Sequence, residues 1–228
     1  MNPAATQVSS VGLRHFRVVP EIVAIATSTG GPQALQDLLP QLPADLPVGV
    51  IIVQHMPAGF TGPLAKRLNT LSAIEVREAE HGDDIERGKV YIAPAGQHIT
   101  IADHGTSSEL KTRICLSDHP LATLRRPSAD VMMASVAKVF GRYCCGIILT
   151  GMGTDGLKGM TAIHDAGGIT IGQDEASSAV YGMPRACAER GILQGILPLS
   201  QMRSQILRAL HYTEKDERNG GGKSPGAR

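Results

Sequence analysis

Short apolar runs alternate with stretches of helical period along most of this chain. Residues 22–26, 49–54, 146–150 and 169–172 are runs of Ile, Val, Ala, Leu, Gly and Thr, the second closing on Gln54, bounded by turn residues, and they read as buried strands. Between and after them, 32–39, 62–71, 129–140, 157–166, 184–189 and 199–210 read as helices. Leu64, Leu68 and Leu71, for example, fall on one stripe. Pro32 suits a first helical turn, and Ser128 is placed to cap the helix at 129–140 with Asp130 in its first turn. Met132 and Met133 read as core packing. The middle of the chain differs. Residues 75–79, 89–94, 97–102 and 112–117 are short runs separated by turns, a pattern that favours hairpins.

Strands alternating with helices predict an α/β fold: a doubly wound, mainly parallel sheet with helices on both faces and an inserted antiparallel β-hairpin. Residues 21–212 form the expected domain. A flexible lead-in is expected over 1–20, and a charged, glycine-rich, disordered tail over 213–228.

Composition narrows the chemistry. Aromatics are 3% of 228 residues and Trp is absent, so the core is built from aliphatic residues and Met. A formal charge of +1 gives no electrostatic case for nucleic acid or a membrane surface. Cys115, Cys144, Cys145 and Cys187 form no Cys-x-x-Cys pair, and no His cluster sits at zinc spacing, so neither metal nor cofactor is expected. Cys144 and Cys145 adjoin an apolar run and read as buried free thiols of a reducing cytoplasm. Nothing approaches a membrane span, and the first residues lack a signal-peptide core, so a cytoplasmic location without membrane insertion is expected.

In open α/β sheets ligands bind beyond the carboxyl ends of the strands. The first strand delivers Thr27-Ser28-Thr29-Gly30-Gly31 there, and the second delivers Gln54-His55-Met56. The strand at 146–150 delivers Gly151-Met152-Gly153-Thr154-Asp155, and the one at 169–172 delivers Gln173-Asp174-Glu175. Parallel strands put a serine, a histidine and a carboxylate on one edge, the inventory for a nucleophile, a general base and an orienting acid. A dinucleotide site fits poorly. The turn lacks Gly-x-Gly-x-x-Gly, and no Asp or Glu occurs between Pro47 and Ile74, where a ribose-binding acid belongs. An ordinary α/β-hydrolase elbow fits poorly too, because Ala26 stands at its first glycine and the order Ser28, His55, Asp155 places the acid last.

Each residue also has a plainer reading. Ser28 at the start of a helix is equally open as an N-cap, His55 as a structural histidine and Asp155 as a turn residue. Asp174 is the rival acid. His98, His119 and His164, on a hairpin, a loop and a helix, are weaker bases.

Six blocks then occur in order: Ser28-Thr-Gly-Gly31, Gln54-His-Met-Pro-x-Gly-Phe-Thr61, Tyr91-Ile-Ala-Pro94, Arg126-Pro-Ser-x-Asp130, Leu149-Thr-Gly-Met-Gly-x-Asp-Gly156 and Tyr181-Gly-Met-Pro184. Together they resemble the catalytic domain of the bacterial chemotaxis protein-glutamate methylesterase (CheB) family. The resemblance implies a doubly wound α/β fold with a hairpin. It also implies hydrolysis of glutamate γ-methyl esters on the cytoplasmic helices of chemoreceptors, with release of methanol, and extends to deamidation of receptor glutamines. It makes Ser28 the nucleophile, His55 the base and Asp155 the acid. Backbone N–H groups of Met152 and of a neighbour of Ser28 or His55, Thr29 first among them, are the expected oxyanion donors. Family members usually carry a receiver domain in front. The residues before position 22 are too few for one, so a fragment or a standalone esterase is expected. Two alternatives stay open: a non-catalytic module that binds receptor, and a small-molecule esterase.

Overall fold

The computed structural model describes residues 18–105, 111–120, 123 and 125–213. Most of the expected lead-in and nearly all of the expected tail lie outside these residues. Seven strands form one sheet: β1 (Ile22–Thr27), β2 (Gly49–Gln54), β3 (Glu75–Glu78), β4 (Lys89–Ile92), β7 (Cys144–Ile148), β8 (Ile169–Gln173) and β9 (Gly195–Leu197). Their order is β3-β4-β2-β1-β7-β8-β9, and every neighbouring pair is parallel. β5 (His98–Asp103) and β6 (Thr112–Ser117) form a separate antiparallel pair.

Every residue of β1, β2 and β7 is buried, as expected of strands covered on both faces. Alternate side chains serve opposite cores. Val23, Ile25, Val50 and Ile52 join one layer with residues of α1 (Gly31–Leu38), α2 (Thr61–Leu71) and α6 (Leu199–Ala209). Ile22, Ala24, Ile51 and Val53 join the other with α3 (Ala129–Phe140), α4 (Leu157–Asp165), α5 (Met183–Glu189) and the β5–β6 pair. Met132 and Met133 lie in that second core. Cys144 and Cys145 are free and buried within β7, and burial pushes the Cys144 thiol up to about 12. Among the described residues no helix is long and apolar enough to cross a membrane.

Two expectations need correction. The stretch from 75 to 117 is not a series of hairpins. β3 and β4 extend the parallel sheet beside β2, and only β5 and β6 pair antiparallel. Alternating polarity marks β3 as a half-exposed edge strand, and β4 is a short, mostly buried run, but neither pattern carries a direction. β9 has no counterpart among the expected strands, since three residues are too few to show a period.

The chain first builds outward from β1 to β2, then returns to place β7 on the other side of β1. The strand order reverses there, which makes the carboxyl end of β1 the switch point where ligands bind in such sheets. Ile52 is fully buried at the centre of β2. Ile52→Ala is expected to cost about 3 kcal/mol of unfolding free energy, measured by urea denaturation.

Candidate active site

Ser28 is the first residue past β1, and its backbone is held on three sides. Its N–H donates to Thr150 O at 3.0 Å, and its carbonyl accepts from Gly31 N at 2.9 Å and from Gln54 Nε2 at 3.0 Å. It is not the cap of α1. Gly30 occupies that position with φ 82°, and no side chain caps the helix. The hydroxyl is thus spared the commonest structural task of a serine at such a turn. Ala26, in place of an elbow glycine, is simply a regular strand residue opposite Val53 and Ile148, with its methyl in the core. The tight approach falls elsewhere. A Cβ on Gly151 would lie 2.9 Å from Ser28 Cβ and 2.3 Å from Met183 Sδ, so only glycine fits against the serine.

His55 follows β2 directly. The β1–β2 register pairs Thr27 with Gln54, so its continuation sets His55 beside Ser28. The His55 N–H donates to Thr27 O at 3.1 Å. The imidazole is almost completely buried. Its Nε2 lies 2.8 Å from Asp155 Oδ2, and its Nδ1 is buried with no hydrogen-bond partner. Nδ1 is therefore the ring nitrogen left to accept a proton. Among the described residues no hydrogen bond joins it to the Ser28 hydroxyl, a common state of such pairs without substrate.

Asp155 lies in the glycine-rich turn between β7 and α4, and it faces the N-terminus of α3. Its Oδ2 accepts from Ala129 N at 2.8 Å, and its Oδ1 from Ser128 Oγ at 2.8 Å and Asp130 N at 3.1 Å. Burial by itself would raise the carboxyl pKa. The bonds from His55, the two amides and the Ser128 hydroxyl outweigh it and bring the pKa down to about 2. Asp155 is thus a stable anion against the imidazole, in the position of an orienting acid.

Several supporting residues have no signature in the sequence that assigns them here. Ser128 is legible as the α3 cap, and its hydroxyl does accept from Val131 N at 3.4 Å, but its bond to Asp155 depends on tertiary structure. Asp130 ties the same turn down by accepting from Gly156 N and Gly159 N, both at 2.9 Å. Gln54 spans the two candidate residues: its amide nitrogen donates to Ser28 O and to His55 O, at 3.0 and 2.8 Å. His98 is fully buried behind Ser128. Its Nδ1 accepts from Ser128 N at 3.2 Å, so Nε2 carries the proton and donates to Thr123 Oγ1 at 2.8 Å. Burial, the largest influence on it, lowers the His98 pKa and agrees with this neutral form.

The rival residues go elsewhere. Asp174 caps its own loop through Ser177. His119 is exposed on a loop, and His164 lies on the outside of α4 beside Asp165. Thr29 follows the serine in sequence, and Met152 follows Gly151, the glycine packed against it. Thr29 O accepts from Thr150 Oγ1 at 2.9 Å, and Met152, next to Gly151, is 65% exposed.

These features define a doubly wound α/β protein whose switch point carries a serine, a histidine and a half-buried, hydrogen-bonded carboxylate. Comparison with known proteins makes this specific. The pattern of the CheB methylesterase family matches residues 23–206, and the chain belongs to that family. It is 49% identical over 187 residues to a protein-glutamate methylesterase/protein-glutamine glutaminase of Moorella thermoacetica, covering 82% of this chain and 43% of that protein. A Pyrococcus abyssi protein of the same name is 46% identical over 188 residues, covering 82% and 50%. The chain spans about half the length of the curated relatives it matches. The crystal structure of the Thermotoga maritima CheB methylesterase catalytic domain superposes with a TM-score of 0.78 at 35% identity, covering 83% of this chain and 98% of that one.

The depressed Asp155 pKa has a consequence for folding. A carboxyl with a lower pKa folded than unfolded stabilises the fold above the unfolded value of 3.8, and that contribution fades as pH falls through the folded value of about 2. The expected contribution is on the order of 2 kcal/mol. Asp155→Asn is expected to flatten the fall in denaturant-measured stability between about pH 4 and pH 2.

Proposed function

We propose that the chain is a serine esterase that hydrolyses glutamate γ-methyl esters on the cytoplasmic helices of chemoreceptors, within the cytoplasm. The reading also takes in deamidation of receptor glutamines, and it makes residues 21–212 the catalytic domain. The observation that carries it is the His55–Asp155 pair at 2.8 Å, anchored on the N-terminus of α3 and set beside Ser28 at the switch point. The names of the relatives supply the substrate class.

In this reading Ser28 Oγ attacks the ester carbonyl, and His55 takes its proton on Nδ1, the nitrogen that Asp155 leaves free. Asp155 keeps the other proton on Nε2 and stabilises the imidazolium as it forms. The amides of Thr29 and Met152 have no acceptor among the described residues and are the candidate oxyanion donors. Each is worth roughly 3 kcal/mol at the transition state. Collapse of the tetrahedral intermediate expels methanol, which takes its proton from His55. Water then attacks the glutamyl-serine ester with His55 again as base, leaving a free glutamate and Ser28 restored. With a glutamine substrate the leaving group is ammonia.

The competing readings separate cleanly. A receptor-binding module would bind methylated receptor without turnover, and a small-molecule esterase would cleave simple esters while ignoring receptor. Ser28→Ala is expected to lower methanol release from methylated receptor by at least about 10⁴-fold while leaving the fold intact by circular dichroism. Undiminished release would overturn the assignment. Gly151→Ala is expected to lower kcat strongly, because the added methyl collides with Ser28 and Met183. The kinetics of that variant test whether the close approach is needed.

A further inference from the structure

The cleft beside His55 encloses about 340 Å³ and is walled by Met56, Pro57, Arg125 and Arg126. Both arginines are exposed, and among the described residues neither forms an ion pair with an acid. The root of Arg126 is fixed. Its carbonyl accepts from Gly96 N at 3.1 Å, and two residues later Ser128 holds Asp155. The opposite wall adds no compensating charge, since the chain has no Asp or Glu between Pro47 and Ile74. Neither overall charge nor fold explains this local excess: the whole chain carries a formal charge of only +1.

The same sheet edge also exposes apolar surface. Phe60, in the loop after β2, is 57% exposed, and Met152, in the loop after β7, is 65% exposed. Of the large apolar side chains left exposed among the described residues, these two stand on the strand-end loops either side of β1, at the edge that carries the candidate site. A methyl ester is neutral and needs no guanidinium to bind it. Two guanidiniums beside His55, with no ion-pair partner among the described residues, match a substrate segment that carries carboxylates of its own next to the reacting residue.

We propose that Arg125 and Arg126 form a subsite that pairs with acidic side chains flanking the glutamyl ester, while Phe60 and Met152 take up apolar residues of the same segment. The proposal rests on the esterase reading for the position of the ester. Charge at such a rim acts through binding and encounter rather than through the chemical step, so it belongs in KM.

The test uses two synthetic peptides that each carry one glutamyl γ-methyl ester, with either Glu or Gln at the flanking positions. Methanol release gives kcat and KM, and fluorescence anisotropy gives binding to the Ser28→Ala protein, on which the ester stays intact. The acidic peptide is expected to be favoured about tenfold in kcat/KM, through KM, and to bind more tightly by a similar factor. Raising NaCl from about 50 to about 500 mM should shrink that preference. Arg125→Gln/Arg126→Gln should abolish it, whereas Arg125→Lys/Arg126→Lys should keep most of it. Equal KM values for the two peptides, or a preference that survives both salt and the Gln pair, would overturn the proposal. So would inhibition by the free-glutamate product that the Gln pair relieves without any flank preference, since the arginines would then be reading the product carboxylate. Absence of methanol from both peptides would count against the esterase reading alone, because the anisotropy arm still decides the subsite.

Discussion

One half-buried carboxylate organises the site. Asp155 sits in a place where burial opposes its charge, and it stays ionised because the first turn of α3 faces it with two amides and a serine hydroxyl. The anion in turn holds His55 by Nε2 and leaves Nδ1 without a hydrogen-bond partner among the described residues. Removing one partner from such a group leaves either an unmatched charge or unmatched donors, which is why the surroundings are so fully specified. Asp130 binds the amides of Gly156 and Gly159, and His98 binds the amide of Ser128. The carboxylate is therefore fixed from α3, from α4 and from the β5–β6 pair at once.

The parallel sheet supplies the convergence. β1, β2 and β7 lie side by side in register, so the residues that follow them must emerge at one edge. Backbone bonds then lock the three loops together: His55 N to Thr27 O, Ser28 N to Thr150 O, and Gly151 O receiving Gly182 N and Met183 N. Gln54 adds a side-chain bridge between the carbonyls of Ser28 and His55. Small residues permit this crowding, as at Gly151, where no side chain could pass between Ser28 and Met183. Rigid strand ends with little freedom between them are the preorganisation that acyl transfer requires.

Much of this architecture is legible in the order of the amino acids. Apolar runs locate the central strands because a strand buried on both faces has no polar side to show. The residues that follow those runs then include Ser28, His55 and Asp155. What stays hidden is non-local. β3 and β4 show as short strand-like runs, but whether such strands join a parallel sheet or fold into hairpins depends on connections that no local pattern encodes. β9 is too short to register. The choice between Ser28 as cap and Ser28 as a free hydroxyl also rests on the backbone, because it turns on whether the helix begins after Gly30 or two residues earlier.

The order of amino acids alone carries the central strands and the helices, the aliphatic core, and which residues stand at the carboxyl end of each central strand. It does so because periodicity and turn chemistry are local properties of a chain. How those residues meet is set by the folded sheet: the α3 N-terminus faces Asp155, His98 supports Ser128 from behind, and Gln54 joins the two strand ends. Those bonds link positions far apart in the chain, and they exist only once the sheet has set its strand order.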